Sequence, residues 1–125
     1  MIMKILLVDD SKTMRNIWKK VVSTFEPDAE IFEAADGLEG LAVFSEQQKI
    51  DLALVDWNMP NMNGLEMVTK VRESNKETIL IMCTTEAEKP RIIEAIKAGI
   101  NNYVIKPFTP DALKEKIQET MAKVK

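Results

Sequence analysis

The sequence predicts an α/β fold: a five-stranded, doubly wound parallel sheet with five helices. Three observations predict it. Short, almost wholly apolar runs alternate with segments of helical spacing, the alternation repeats five times, and the 4 glycines and 5 prolines fall at segment boundaries. Buried strands joined by helices need crossover connections, so the sheet is parallel, its crossovers right-handed and both its faces covered. At 125 residues and 46% apolar, the chain is expected to form one domain, residues 1–125. A domain of this size buries roughly two-thirds of its unfolded surface and needs no crosslinks.

The elements follow in order. Ile5-Leu6-Leu7-Val8 is a continuous apolar run and reads as a strand buried on both faces. Ser11 is a candidate N-cap for a first helix, whose apolar stripe is Met14, Ile17, Trp18, Val21, Val22 and Phe25. Glu30-Ile31-Phe32-Glu33-Ala34 alternates, which predicts an edge strand with one wet face. Asp36 with Glu39 three residues later opens a second helix through Leu41, Ala42 and Phe44. Leu52-Ala53-Leu54-Val55 is a buried third strand, and Leu65, Val68 and Val71 mark the third helix. Ile79-Leu80-Ile81-Met82-Cys83 is a buried fourth strand. Ile92, Ile93 and Ile96 mark a fourth helix that Gly99 closes. Tyr103-Val104-Ile105 reads as a fifth strand, also buried on both faces. Thr109-Pro110-Asp111 supplies a cap, a proline at the first helical position and an early acid for the last helix. Leu113, Ile117, Met121 and Val124 are its stripe. Periodicity leaves the strand order open.

Composition removes whole classes of chemistry. There is no histidine, so no Ser-His-Asp or Cys-His catalysis, no histidine-ligated zinc and no phosphohistidine carrier. The single cysteine, Cys83, excludes an internal disulfide and a cysteine-rich metal site, and reads as an inert apolar residue. The amino terminus lacks the layout of a signal peptide, and no apolar stretch nears the ~20 residues of a membrane span. The pI of about 5.1 argues against nonspecific nucleic-acid binding. A cytoplasmic protein is expected, with any chemistry left to carboxylates, a lysine and hydroxyls.

Those groups are placed tellingly. Asp9 and Asp10 follow the first buried strand, Asp56 the third, Thr84 the fourth and Lys106 the fifth. Ligands of open parallel sheets bind at the carboxyl ends of strands, where the strand order reverses. If the first and third strands are neighbours, the three carboxylates converge. At ~4 Å and an effective dielectric of ~20, each like-charge pair costs about 4 kcal/mol. A hard divalent cation offsets this, and Mg²⁺ suits a few carboxylates plus a phosphate. Lys106 adds an ammonium and Thr84 a hydroxyl, and together they suit phosphoryl transfer to a carboxylate. Solvated turn acids, or a Mg²⁺ or Ca²⁺ site without chemistry, are the plainer readings of the same residues.

Four motifs, in order, resemble the receiver domain of two-component response regulators, in particular the stand-alone chemotaxis type, the CheY family. They are Val8-Asp9-Asp10-Ser11, Val55-Asp56-Trp57-Asn58-Met59-Pro60-Asn61-Met62-Asn63-Gly64, Cys83-Thr84-Thr85-Glu86 and Asn102-Tyr103-Val104-Ile105-Lys106-Pro107-Phe108. The resemblance covers essentially the whole chain and implies a flavodoxin-like strand order of 2-1-3-4-5. It implies that Asp56 accepts a phosphoryl group from a sensor histidine kinase, and that Asp9, Asp10, Asp56 and the Asn58 backbone carbonyl hold Mg²⁺. It implies that Thr84 bonds a phosphoryl oxygen, Lys106 pairs with the phosphate, and Tyr103 is a switch aromatic that moves inward as Thr84 shifts. The output surface is then the fourth helix, fifth strand and fifth helix, and the leading target the flagellar motor switch protein. A dedicated phosphatase and a monomeric state are further expectations, with no nucleic-acid or membrane partner. Since the chain ends soon after the fifth helix, no output domain is expected.

The rival readings are a phosphorelay or phosphate-sink receiver and, from another class, a small Mg²⁺-dependent phosphatase with an Asp nucleophile. Such enzymes usually carry a second acid two residues after the nucleophile, where this chain has Asn58. The resemblance also implies a cis Lys106-Pro107 bond. Trp57 is expected at the rim of the site; Met59, Met62 and Met67 in loop and helix packing; Gly64 in a tight loop conformation. Asn63, Thr85 and Pro90 depart from the best-known chemotaxis members, which bears on dephosphorylation rate and partner choice.

Overall fold

In the computed structural model, which describes residues 2–124, five strands alternate with five helices. They are β1 (Lys4–Val8), α1 (Lys12–Ser23), β2 (Glu30–Ala34), α2 (Gly37–Glu46), β3 (Leu52–Val55), α3 (Gly64–Arg72), β4 (Ile79–Thr84), α4 (Lys89–Ala98), β5 (Asn102–Ile105) and α5 (Pro110–Val124). Every strand pairing is parallel, and the sheet order is β2-β1-β3-β4-β5. The chain leaves β1 to form β2 on one side and returns to form β3 on the other. The reversal therefore lies at the carboxyl ends of β1 and β3.

The apolar runs fill two cores because successive strand residues face opposite ways. Leu6, Val8, Ala53, Val55, Leu80 and Met82 point to one face and meet Met67, Val68 and Val71 of α3 and Ala95 of α4. Ile5, Leu7, Leu52, Leu54, Ile81 and Cys83 point to the other and meet Trp18, Val21 and Val22 of α1 and Leu113 and Ile117 of α5. A run with no polar residue is what a strand covered on both sides requires. No helix among the described residues is long and apolar enough to cross a membrane.

Local chemistry sets the helix ends. The Ser11 hydroxyl accepts from the Met14 N–H at 3.1 Å, and the Asp36 carboxylate from the Glu39 N–H at 2.9 Å. The Thr109 hydroxyl accepts from the Ala112 N–H at 3.1 Å. Gly99 ends α4 in the left-handed region, with φ of 119°. Asn63 and Glu66 form a full capping box on α3, a pattern not singled out from the sequence.

Three expectations need correction. β5 is not buried on both faces: of its four residues only Val104 is buried, because β5 is the second edge of the sheet. The isoleucines that mark α4 are not its buried face. Ile93 and Ile96 are 42% and 54% exposed, and the small Ala95 faces the sheet instead. Two stripes also overrun their helices' buried faces, since Ile17 and Val124 are exposed. Phe25 lies beyond α1 yet still packs on its core.

Candidate functional site

Strand register builds the site. Val8 of β1 stands beside Val55 of β3, so the next residues, Asp9 and Asp56, emerge side by side. The Asp56 N–H donates to the Val8 carbonyl at 2.9 Å, extending the ladder by one rung. Alternation sends both carboxylates to the α1–α5 side, the side of Leu7 and Leu54. Lys106, two residues after Val104, lies on that side too. Its ammonium reaches Asp9 Oδ2 at 3.0 Å and Asp56 Oδ1 at 3.4 Å. One carboxylate oxygen from each of Asp9, Asp10 and Asp56 lies within 4.8 Å of the others. The convergence expected from the sequence is therefore present. Asp9 is 1% exposed and Asp56 8%, whereas Asp10 lies open to solvent.

Each buried carboxylate is partly satisfied. Asp9 Oδ1 accepts from the Ser11 N–H at 2.8 Å, and Asp56 Oδ1 from the Trp57 N–H at 2.8 Å. Burial pushes the Asp56 carboxyl above its ordinary value; Lys106 pulls it down, and the neighbouring charge of Asp9 pushes it up again. Burial alone would lower the Lys106 ammonium. The hydrogen bond to Asp9 and the two carboxylate charges outweigh it, so the lysine is held above its ordinary value and stays charged. Among the described residues the site thus carries more negative charge than the Lys106 ammonium balances.

The donor set suits Mg²⁺. It is all oxygen, it is acidic, and its three oxygens lie within 4.8 Å of one another, close enough to share one small cation. Asn58 follows on the same loop as Asp56, and its residue is exposed.

Thr84 and Tyr103 belong to the opposite face. Thr84 pairs in register with Ile105, which makes Tyr103 its diagonal neighbour on the α4 side. Thr84 is buried, and its hydroxyl accepts from the Glu86 N–H at 3.1 Å. Tyr103 is half-buried against the α3–α4 core.

Trp57 needs a correction. It is not at the rim but 4% exposed, in the α3–α4 core, with the Arg91 guanidinium of α4 5.5 Å from its ring centre. Alternation turns its side chain away from Asp56, while its N–H donates to the carboxylate. Gly64 is required for space rather than for backbone conformation. A Cβ there would lie 2.1 Å from the Asp56 carbonyl oxygen. Met67 is fully buried, and Met59 and Met62 pack on the same core. Lys106-Pro107 is cis. Cys83 is fully buried, and burial pushes its thiol up, which leaves it inert.

The site's supports were not read from the sequence. Arg15 donates to the Asp9 carbonyl and pairs with Glu33 of β2 at 3.0 Å, and Lys19 joins Glu33 at 2.8 Å. Asn61, in the left-handed region at φ of 66°, donates to Asp36 at 2.7 Å and ties the β3–α3 loop to the start of α2. Only the spacing of Arg15 and Lys19 on one face of α1 hints at a shared partner.

A family described as the response regulator receiver domain matches residues 5–118. The chain belongs to that family. Among receiver domains, a chemotaxis protein CheY homolog of Campylobacter jejuni is 46% identical over 121 residues, 95% of this chain and 92% of that one. Chemotaxis protein CheY1 of Helicobacter pylori is 48% identical over 118 residues, 93% and 94% of the two chains. A high-resolution structure of the chemotaxis response regulator CheY4 of Vibrio cholerae superposes with a TM-score of 0.85 at 33% identity, covering 96% of this chain and 99% of that one. This receiver domain is therefore a CheY-like member of a family of signalling proteins, with the 2-1-3-4-5 sheet that the resemblance implied.

Proposed function

We propose that this protein is a phosphorylation-activated response regulator whose phosphoacceptor is Asp56. The observation that carries the reading is one ammonium held between two buried carboxylates, with a third acid alongside. An Asp56 oxygen attacks the phosphorus of a phosphohistidine on a sensor kinase. The P–O bond forms, the P–N bond breaks, and its electron pair stays on the imidazole nitrogen. Asp9, Asp10, Asp56 and the Asn58 carbonyl would hold Mg²⁺, which when bound neutralises the acids and the phosphoryl oxygens. Lys106 then donates to the phosphoryl group, a preorganised charge that needs no rearrangement of solvent. Thr84 donates its hydroxyl to a phosphoryl oxygen. Its diagonal neighbour Tyr103 then follows into the space it leaves, shifting a pre-existing equilibrium. The chain promotes its own phosphorylation and dephosphorylation but turns over no separate substrate.

The output face is α4, β5 and α5. Ile93 and Ile96 expose apolar surface there, and Tyr103, Ile105, Phe108, Ala112 and Lys116 line a groove of about 610 Å³. The relatives' names support chemotaxis as the setting; within that setting the flagellar motor switch protein is the target this reading takes. A cytoplasmic monomer, with a histidine kinase upstream and a dedicated phosphatase, completes the reading. The low pI supports the expected lack of nucleic-acid and membrane partners.

Intact mass after incubation with acetyl phosphate tests the chemistry. One added phosphoryl group is expected, lost with a chelator and lost in Asp56→Asn. No addition, or addition that Asp56→Asn retains, overturns the assignment.

A further inference from the structure

Trp18 is fully buried in the α1–α5 core, and its indole N–H has no hydrogen-bond partner among the described residues. An unpaired buried N–H is costly, and a leucine or isoleucine would fill the stripe without it. The ring face offers a reason for keeping the residue. The Lys106 ammonium lies 5.7 Å from the centre of the Trp18 ring, on the side to which alternation sends Asp9, Asp56 and Lys106. That distance is inside the range of cation–π attraction, and the surroundings are desolvated, where the attraction is strongest.

The geometry points to Trp18 as a positioning residue for Lys106: its ring seats the ammonium beneath the phosphoacceptor. An ammonium has three N–H donors and two carboxylate neighbours here. A third carboxylate would bind a donor and add the negative charge that the site already has in excess. A ring attracts the cation without consuming a donor and without charge. The ammonium is held in place while a donor stays free for an incoming phosphoryl oxygen. This assignment deepens the proposed function and rests on it for the role of Lys106.

The test labels the chain with 5-fluorotryptophan, giving two fluorine resonances, and Trp18→Phe identifies the one from residue 18. Lys106→Met, with no phosphodonor present, is expected to move the Trp18 resonance. Mg²⁺ with acetyl phosphate is expected to move it too, in step with the mass gain on Asp56. Trp18→Leu, which has no ring, is expected to slow phosphoryl uptake about fivefold, with Trp18→Phe much closer to the parent. Urea midpoints of the two variants report the loss of packing that both share. A Trp18 resonance indifferent to Lys106→Met, or equal slowing by Leu and Phe, overturns the assignment. If the parent gains no mass at all, the phosphoacceptor reading fails, and the Lys106→Met arm still decides whether the ring seats the ammonium.

Discussion

Gly64→Ala would drive a methyl group into the backbone that carries Asp56. The Cβ would stand 2.1 Å from the Asp56 carbonyl oxygen, 3.0 Å from its carbon and 3.1 Å from Trp57 Cα. Cβ contacts under 3.0 Å essentially do not occur, and here every neighbour is backbone, so no side chain can swing aside. The start of α3 and the end of β3 must part by at least about 0.9 Å. The Gly64 N–H donates to the Trp57 carbonyl at 2.8 Å, and the same movement pulls on this bond, which is lost beyond about 3.5 Å. Losing that bond costs about 1 kcal/mol, and overpacking a site that cannot yield adds about 2 kcal/mol. The expected total of about 3 kcal/mol lowers the melting temperature by roughly 10 °C in a chain of this length. Urea unfolding followed by tryptophan emission measures it, and the displaced Asp56 should also take up phosphoryl groups more slowly. A loss below about 0.5 kcal/mol, the range of neutral surface changes, would refute the packing argument.

Three further outcomes are expected. Asp56 is an acid held above its ordinary 3.8, chiefly by burial, so its charge weighs against the fold at pH 7 and that penalty fades as pH falls through its folded value. Asp56→Asn should therefore melt higher than the parent at pH 7, with the gain shrinking in acid, as calorimetry at both pH values will show. Lys106→Met should leave the protein folded and able to bind Mg²⁺, read by titration calorimetry, while cutting phosphoryl uptake from acetyl phosphate about 100-fold. Asp36 is held below its ordinary 3.8, first by the Asn61 amide and then by the Glu39 N–H, so its contribution is complete above that value and lost as pH falls through the lower folded one. Asp36→Ala should lower the urea midpoint at neutral pH, and the difference should shrink once acid has protonated Asp36 in the parent.

Much of this protein is written in local chemistry. Ile5-Leu6-Leu7-Val8 reads as a strand covered on both faces, and Ser11, Asp36 and Thr109 cap their helices because a cap needs nothing beyond three residues of its own chain. The placement of Asp9, Asp56 and Lys106 directly after apolar runs likewise marked the strand ends where a ligand would bind. The chain could not show which strands are neighbours, since order is a contact between distant residues. The exposure of β5 has the same origin: an apolar run does not reveal that it will lie at an edge. The exposed isoleucines of α4 are of the same kind, because which face of a helix is covered depends on what packs against it.

The residue types, the strand and helix sequence and the acids at strand ends were determined by sequence alone. The tertiary structure decided the rest through register and alternation. Val8 beside Val55 brings Asp9 to Asp56, and the shared face brings Lys106 to both and to Trp18. The opposite face takes Thr84, Tyr103 and Trp57. Residues 97 apart in the chain share an ion pair because a side chain's position in a sheet depends on its neighbours' register, which no local stretch encodes.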